Sequence, residues 1–160
     1  MAVRQAVIVL LAAGCATTVA VPESLSPGAN ESLAMVVPAK GVQIYECRDR
    51  KWVFVAPDAE LFDAKGKRIG KHYAGPVWEA NDGSRVAAAV KSRADAPAPG
   101  SIPWLLLSAK SVGAEGAFSK VTSIQRVSTA GGLAPQGECA QPGARARSSY
   151  TADYYFFTAR

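Results

Sequence analysis

The sequence predicts an all-β domain, a single small sandwich or barrel of about eight to ten short, mainly antiparallel strands with long loops rich in Pro and Gly. Three observations lead to this fold class. Short runs rich in Val, Ile, Tyr and Trp recur along the chain, turn residues separate them, and no stretch has the apolar periodicity of a long amphipathic helix. We therefore expect strands to supply nearly all of the core.

The first half of the domain alternates strand-like runs with turn residues. The first run, residues 42–47, has the two-residue period of a half-buried strand. Residues 63–66 predict a hairpin turn. Residues 81–83 predict another, because they contain Asp-Gly, and both of these residues tolerate positive φ. The predicted strands of this half are residues 42–47, 52–56, 59–62, 68–73, 77–80 and 85–91.

The second half has fewer and longer predicted strands. Residues 104–109 form a continuous apolar run, which predicts a central strand. Residues 118–129 alternate, with Val121 and Ser123 on one face and Ile124 and Arg126 on the other. The remaining segments are a proline-rich loop (94–103), a Gly/Pro loop (129–147) and a last strand rich in Tyr and Phe (150–158).

The N-terminus predicts export. Arg4 precedes nine apolar residues, 6–14, a run far shorter than the roughly 20 residues that span a bilayer. This pattern is typical of a signal peptide, and we assign residues 1–20 to a signal peptide of the lipoprotein type together with the start of a tether. The residues before Cys15 resemble a bacterial lipoprotein signal, so Cys15 is the predicted lipidation site, with cleavage after Ala20 as the alternative. We expect a periplasmic or outer-membrane lipoprotein, or a secreted protein.

Domain organisation and cysteine pairing follow from this. Residues 21–40 contain three prolines and predict a linker with a short helical turn near residues 30–35, followed by the β domain, residues 41–160. If Cys15 is lipidated, the remaining cysteines, Cys47 and Cys139, form one pair. Outside the cytosol we expect that pair to be a disulfide.

The charge of the chain argues against nucleic-acid binding. The net charge is +5, and loss of Arg4 with the signal peptide leaves 17 − 13 = +4. Acidic and basic residues are interleaved, whereas nucleic-acid binders show a continuous basic stripe. We expect no nucleic-acid partner, and attachment to the membrane only through a lipid on Cys15.

The segment from His72 to Ser84 is the best candidate for a binding site. It gathers the only histidine of the chain, a tryptophan and two carboxylates around one hairpin. The predicted binding residues are His72, Tyr73, Trp78, Glu79 and Asp82. Trp78 either lines a ligand-binding rim or fills the core, and aromatic side chains of small β domains more often do the latter.

No residue of the chain is assigned a catalytic role. His72, Asp82 and Ser84 supply the residue types of a hydrolase triad, but a Gly-x-Ser-x-Gly elbow is missing from the sequence. Glu79 and Asp82 could instead be the carboxylate pair of a glycosidase. The spacing of His72, Glu79 and Asp82 matches no standard zinc site, so we expect neither a metal nor another cofactor.

Several stretches, in this order, resemble an uncharacterised family of exported proteins, domain of unknown function 3455. They are residues 41–47 (GVQIYEC), 52–57 (WVFVAP) with Ala59 and Leu61, 70–79 (GKHYAGPVWE), 82–84 (DGS), 102–107 (IPWLLL) and 124–132 (IQRVSTAGG). The resemblance implies export and a compact domain. It implies no activity and no catalytic residues.

We therefore predict an exported cell-envelope protein that acts as a binding or structural module, with an unknown ligand or envelope partner. One alternative is a small secreted hydrolase or carbohydrate-active enzyme centred on His72, Glu79 and Asp82. The other is an inhibitor of a cell-wall-degrading enzyme, which rests on analogy between folds alone.

Overall fold

The computed structural model describes residues 19–160, so Cys15 and residues 1–18 of the predicted signal peptide lie outside the described residues. A short 3-10 helix, Glu23–Leu25, precedes the strands. The strands are β1 (Glu31–Arg48), β2 (Lys51–Phe62), β3 (Arg68–Tyr73), β4 (Val77–Ala80), β5 (Arg85–Ala94), β6 (Trp104–Ser111), β7 (Val121–Gly131) and β8 (Arg145–Ala159). None of the helices in this part of the chain has the length and apolar character needed to cross a membrane.

The strands form one closed antiparallel barrel in chain order. Each strand pairs with the next, and β8 pairs with β1 from Glu31↔Ala159 to Glu46↔Arg145. The all-β prediction is confirmed, and of the two predicted architectures the chain adopts the barrel. Closure gives every long strand a partner on both sides over part of its length.

The first strand differs from the prediction. Residues 31–40, assigned to a linker with a helical turn near residues 30–35, are the first part of β1, so the helical turn is wrong. This part of β1 pairs with β8, and its pairing with β2 begins only at Ala39. Pro38 therefore has a strand neighbour on one side alone, where its missing N–H is tolerated.

The second strand is also longer than predicted. β2 continues through Pro57 and Asp58, which the sequence predicts to be a break. Pro57 lies opposite Gln43 of β1, and the pairing of β2 with β3 starts two positions later, at Ala59. A one-sided position again accommodates a proline inside a strand.

One end of the barrel interior is plugged by the loop between β6 and β7. Phe118 of this loop is fully buried, with its ring 4.9 Å from that of Phe156. The β4–β5 turn holds the loop, because the Ser84 hydroxyl accepts a hydrogen bond from Phe118 N (3.1 Å) and Asp82 Oδ2 accepts one from Ala117 N (2.8 Å). This end is therefore closed by packing.

A smaller apolar cluster covers the outer wall of the barrel. Leu25 of the 3-10 helix packs there with Trp104, Leu106 and Val127. Gln125 Nε2 donates a hydrogen bond to Leu25 O (2.6 Å). The segment before β1 is thus attached to β6 and β7 and helps to bury Trp104, which is 5% exposed.

The disulfide attaches the long β7–β8 loop to the end of β1. Cys47 and Cys139 are bonded, with their Cα atoms 5.8 Å apart, which confirms the predicted pair. Backbone hydrogen bonds accompany it, from Cys47 N to Ala144 O (2.8 Å) and from Cys139 N to Arg50 O (3.1 Å). The loop therefore lies across the end of the β1–β2 hairpin.

Candidate functional site

The barrel interior contains a cavity of about 190 Å³ away from the Phe118 plug. It lies near the β3–β4 turn, which contains Gly75 and Pro76. Its walls come from all eight strands and that turn: Gln43, Phe54, Val55, Pro57, His72, Gly75, Pro76, Trp78, Val90, Leu105, Leu107, Arg126 and Tyr154. Most of these side chains are apolar, and an eight-stranded barrel has an interior just wide enough for side chains or one small ligand.

His72 forms part of the cavity wall as a neutral side chain. It lies opposite Trp78 in the β3–β4 ladder, and their rings stack with centroids 4.0 Å apart. Burial lowers the pKa of His72 to about 3, and the nearby Arg126 charge acts in the same direction. Nδ1 lies 2.9 Å from Val77 O, and since a carbonyl only accepts, Nδ1 carries the proton. Nε2 is consequently left as a hydrogen-bond acceptor.

Two buried polar groups of the cavity wall lack partners. Gln43 is 2% exposed and Trp78 is 1% exposed. Gln43 Nε2 and Trp78 Nε1 are buried and make no hydrogen bond with any group of residues 19–160. A buried donor without a partner costs about 1–3 kcal/mol, so native proteins retain few of them. Trp78 is thus a buried residue and a cavity residue at once.

Arg126 contributes a cation to the same cavity, and it is not among the binding residues predicted from the sequence. It lies opposite Leu105 on β6 and Tyr154 on β8, both of which are interior residues. Its Nε and Nη2 donate to Pro103 O at 3.2 and 2.8 Å. The alternation of β7 could have revealed its position. Arg126 lies two residues after Ile124 and so points to the same face of the strand, and Ile124 faces the core.

The mouth of the cavity has an apolar rim. Phe54 and Val90 line the cavity yet remain 51% and 54% exposed. The rings of Phe54 and Tyr45 make a T-shaped contact, with centroids 5.9 Å apart. Large apolar side chains left exposed beside an interior cavity are typical of a ligand entrance.

The other predicted binding residues lie elsewhere. Tyr73 and Glu79 are on the outer face of the barrel, where the Tyr73 hydroxyl donates to Glu79 Oε2 (2.6 Å) and Lys71 Nζ lies 3.5 Å from Glu79 Oε1. The Tyr73 hydrogen bond holds the pKa of Glu79 below its usual value. Asp82 belongs to the plugged end. The structure therefore brings His72 and Trp78 together and separates Tyr73, Glu79 and Asp82 from them.

His72 is also separated from Ser84 and Asp82, the other two residue types of a hydrolase triad. The Ser84 hydroxyl donates to Asp82 Oδ1 (2.6 Å), but the His72 ring proton is directed to Val77 O. Hydrogen bonds from Ser84 and Ala117 lower the pKa of Asp82 and tie it to the loop that plugs the barrel. Within residues 19–160, no three His, Cys, Asp or Glu side chains are grouped so that they could hold a metal ion.

Comparison with known families identifies the chain. A family model described as a protein of unknown function, DUF3455, matches residues 27–158. The chain is a member of the DUF3455 family. The matched region of this DUF3455 protein includes every residue that lines the cavity. No curated protein and no solved structure matches the chain.

Proposed function

We propose that this DUF3455 protein is an exported binding module that holds a small molecule in the open end of its barrel. The observation that carries the proposal is the interior cavity with an apolar wall in which Gln43 and Trp78 each have a buried donor without a partner. A ligand with a hydrogen-bond acceptor would satisfy these donors while its apolar part filled the remaining space.

The geometry supports binding more than catalysis. The cavity wall offers His72 as a neutral acceptor, and among the described residues it contains no Asp, Glu, Ser or Cys side chain. Acid–base or nucleophilic catalysis needs a nucleophile or carboxylate within hydrogen-bond reach of a base. Because Glu79 and Asp82 lie on other surfaces, we do not extend the proposal to hydrolysis.

The location in the cell envelope rests on the sequence and on the disulfide. The apolar run before Cys15 has the length of a signal peptide, and disulfides persist in oxidising compartments. We propose that the barrel works in the periplasm or on the outer membrane, tethered by a lipid on Cys15. No observation in residues 19–160 favours inhibition of a cell-wall-degrading enzyme.

Blocking the mouth tests the binding function. The probe is 3-phenylpropanamide, a neutral one-ring molecule suited to this volume, since a cavity of about 150 Å³ accepts benzene. In nuclear magnetic resonance titrations we expect shifts of the Trp78 indole N–H and the Gln43 side-chain amide. Val90→Trp should abolish these shifts by filling the mouth, whereas Val112→Trp, at a position 48% exposed and outside the cavity wall, should not. Shifts that are absent from the wild type, or equal in both variants, would contradict the proposal.

Changing the predicted lipidation site tests the location. Cys15→Ser should release the protein from the membrane fraction or leave its signal peptide uncut, because no thiol remains to receive the lipid. Fractionation and mass spectrometry of the N-terminus measure both outcomes. An unmutated protein that is wholly soluble and begins at Val21 would refute the lipid anchor and leave ordinary export.

A further inference from the structure

We infer that the ligand of the cavity carries a carboxylate on a one-ring or short-chain apolar body, and that Arg126 binds this carboxylate. The inference rests on the proposed binding function and adds to it the chemical class of the ligand. It is carried by the charge, the hydrogen-bonding capacity and the rim of the cavity, which are independent observations.

The charge of the cavity is positive and uncompensated. Of the described residues that line it, Arg126 alone is charged, since His72 is neutral. Arg126 takes part in no ion pair within residues 19–160. A cation that faces an apolar interior is normally paired, because withdrawing a charge from water is costly. An anion in the cavity would supply the missing partner.

The hydrogen-bonding groups of the cavity are mostly donors. The guanidinium has five N–H groups in a planar fork, and two of them, on Nε and Nη2, donate to the same acceptor, Pro103 O. Gln43 and Trp78, which also line the cavity, each have a buried donor without a partner among the described residues, Nε2 and Nε1 respectively. An ionised carboxylate only accepts, with about four lone-pair sites, so it complements this set. A cationic ligand would be repelled by Arg126 and would leave these donors unsatisfied.

The rest of the cavity selects an apolar body for the acid. Leu105 and Leu107 are buried in its wall, and Phe54 and Val90 form its exposed rim. A volume of about 190 Å³ admits one ring or a short chain, with any longer part leaving between the rim residues. Arg126 also offers the bidentate geometry in which a planar carboxylate binds most strongly.

A series of probes that differ only in charge tests the inference on the unmutated, full-length protein. Isothermal titration calorimetry compares 3-phenylpropanoate, 3-phenylpropanamide and 3-phenylpropylamine. We expect the carboxylate to bind at least about tenfold more tightly than the amide, since hydrogen bonds to charged groups are the stronger ones. The amine should bind most weakly. Added NaCl should weaken the binding of the carboxylate and leave that of the amide unchanged.

Variants assign the effect to one residue. Arg126→Gln should lower the affinity for 3-phenylpropanoate to that for the amide, and Arg126→Lys should retain part of the preference. The matched control is Arg147→Gln, which removes an arginine from an exposed ion pair with Asp58 outside this cavity and should change no affinity. If Arg126→Gln does not fold, a second variant is Gln43→Leu, in which a side chain of similar size without a donor replaces the amide. This variant should still reduce the binding of the carboxylate.

The outcomes separate this inference from the proposed function. Equal binding of carboxylate and amide, or preference for the amine, would overturn the role of Arg126 while cavity binding stands. If none of the three probes binds at millimolar concentration, both the binding function of the cavity and the role of Arg126 are refuted. A carboxylate preference that persists in Arg126→Gln would place the anion elsewhere and overturn the inference.

Discussion

His72 illustrates how the environment of one residue changes its chemistry. In the sequence a sole histidine beside two carboxylates suggests acid–base chemistry, yet in the barrel the side chain is buried against Trp78 and Tyr154. Withdrawal from water favours the neutral form, and the hydrogen bond to Val77 O determines which nitrogen carries the proton. A residue that would titrate near neutral pH thus becomes a permanent acceptor.

This burial predicts a dependence of stability on pH. The pKa of His72 is about 3 in the folded chain and 6.5 for the exposed side chain, so below pH 6.5 the unfolded chain takes up a proton that the folded chain does not. Stability should therefore fall as pH falls from 6.5 towards 3, by up to about 1.4 kcal/mol per pH unit from this group.

Urea unfolding at several pH values above about 5, where most carboxylates stay ionised, measures this slope. In His72→Asn, whose amide can still donate to Val77 O, the slope due to the histidine should disappear even if the variant is less stable throughout. The same slope in both proteins would show that His72 is not buried as a neutral group.

Among the elements, the β6–β7 loop has its position determined by contacts distant in sequence. Ser84 and Asp82 of the β4–β5 turn accept hydrogen bonds from the backbone N–H groups of its Phe118 and Ala117. These contacts bring Phe118 into the barrel end. The most polar part of the segment that the sequence suggests as a binding site is therefore a structural clamp.

Removing the Ser84 hydroxyl should loosen this clamp. Ser84 is fully buried, so Ser84→Ala leaves Phe118 N without its acceptor and should lower the free energy of unfolding by about 1–3 kcal/mol. Ser119→Ala is the control, because the Ser119 hydroxyl bonds only within the same loop, and its effect should stay within about 0.5 kcal/mol. Chemical denaturation of both variants measures the difference, and equal effects would argue against the clamp.

For the whole molecule, the closure of the barrel and the disulfide act on the same region. Cys47 and Cys139 are 92 residues apart in the chain, and their bond ties the β7–β8 loop to β1, next to the strand pair that closes the barrel. In the chain-entropy model, a crosslink over this separation stabilises the folded state by on the order of 4–5 kcal/mol, because it restricts the unfolded chain.

Reduction should accordingly lower the melting temperature by several degrees. Circular dichroism of the wild type with and without a reductant measures the shift. The variant Cys47→Ala/Cys139→Ala should melt at the temperature of the reduced wild type and should not respond to the reductant. A melting temperature that is the same in every case, or free thiols in the protein by mass spectrometry, would contradict a stabilising disulfide.

The local sequence predicted strand boundaries best for short strands that have turn residues at both ends. β3 and β4 have the predicted boundaries, since turn residues limit both. β1 and β2 extend through Pro38 and Pro57 because each proline has a paired strand on one side. For Pro38 this strand is β8, which is distant in sequence, and for Pro57 it is β1. Within the site, composition led to His72 and Trp78 but not to Gln43 or Arg126. Those two residues are 83 positions apart, and only closure of the barrel brings them to one cavity.

Local and compositional properties, namely alternation, turn residues and the number of cysteines, were enough to predict the all-β class, the hairpins around β3, β4 and β5, and the Cys47–Cys139 pair. Only the folded chain shows that the sheet closes and that Phe118 plugs one end. The fold also brings Arg126 to the same cavity as Gln43 and Trp78, whose buried donors have no partner among the described residues. These features depend on the pairing of β1 with β8, a contact between the two ends of the domain that no local pattern encodes.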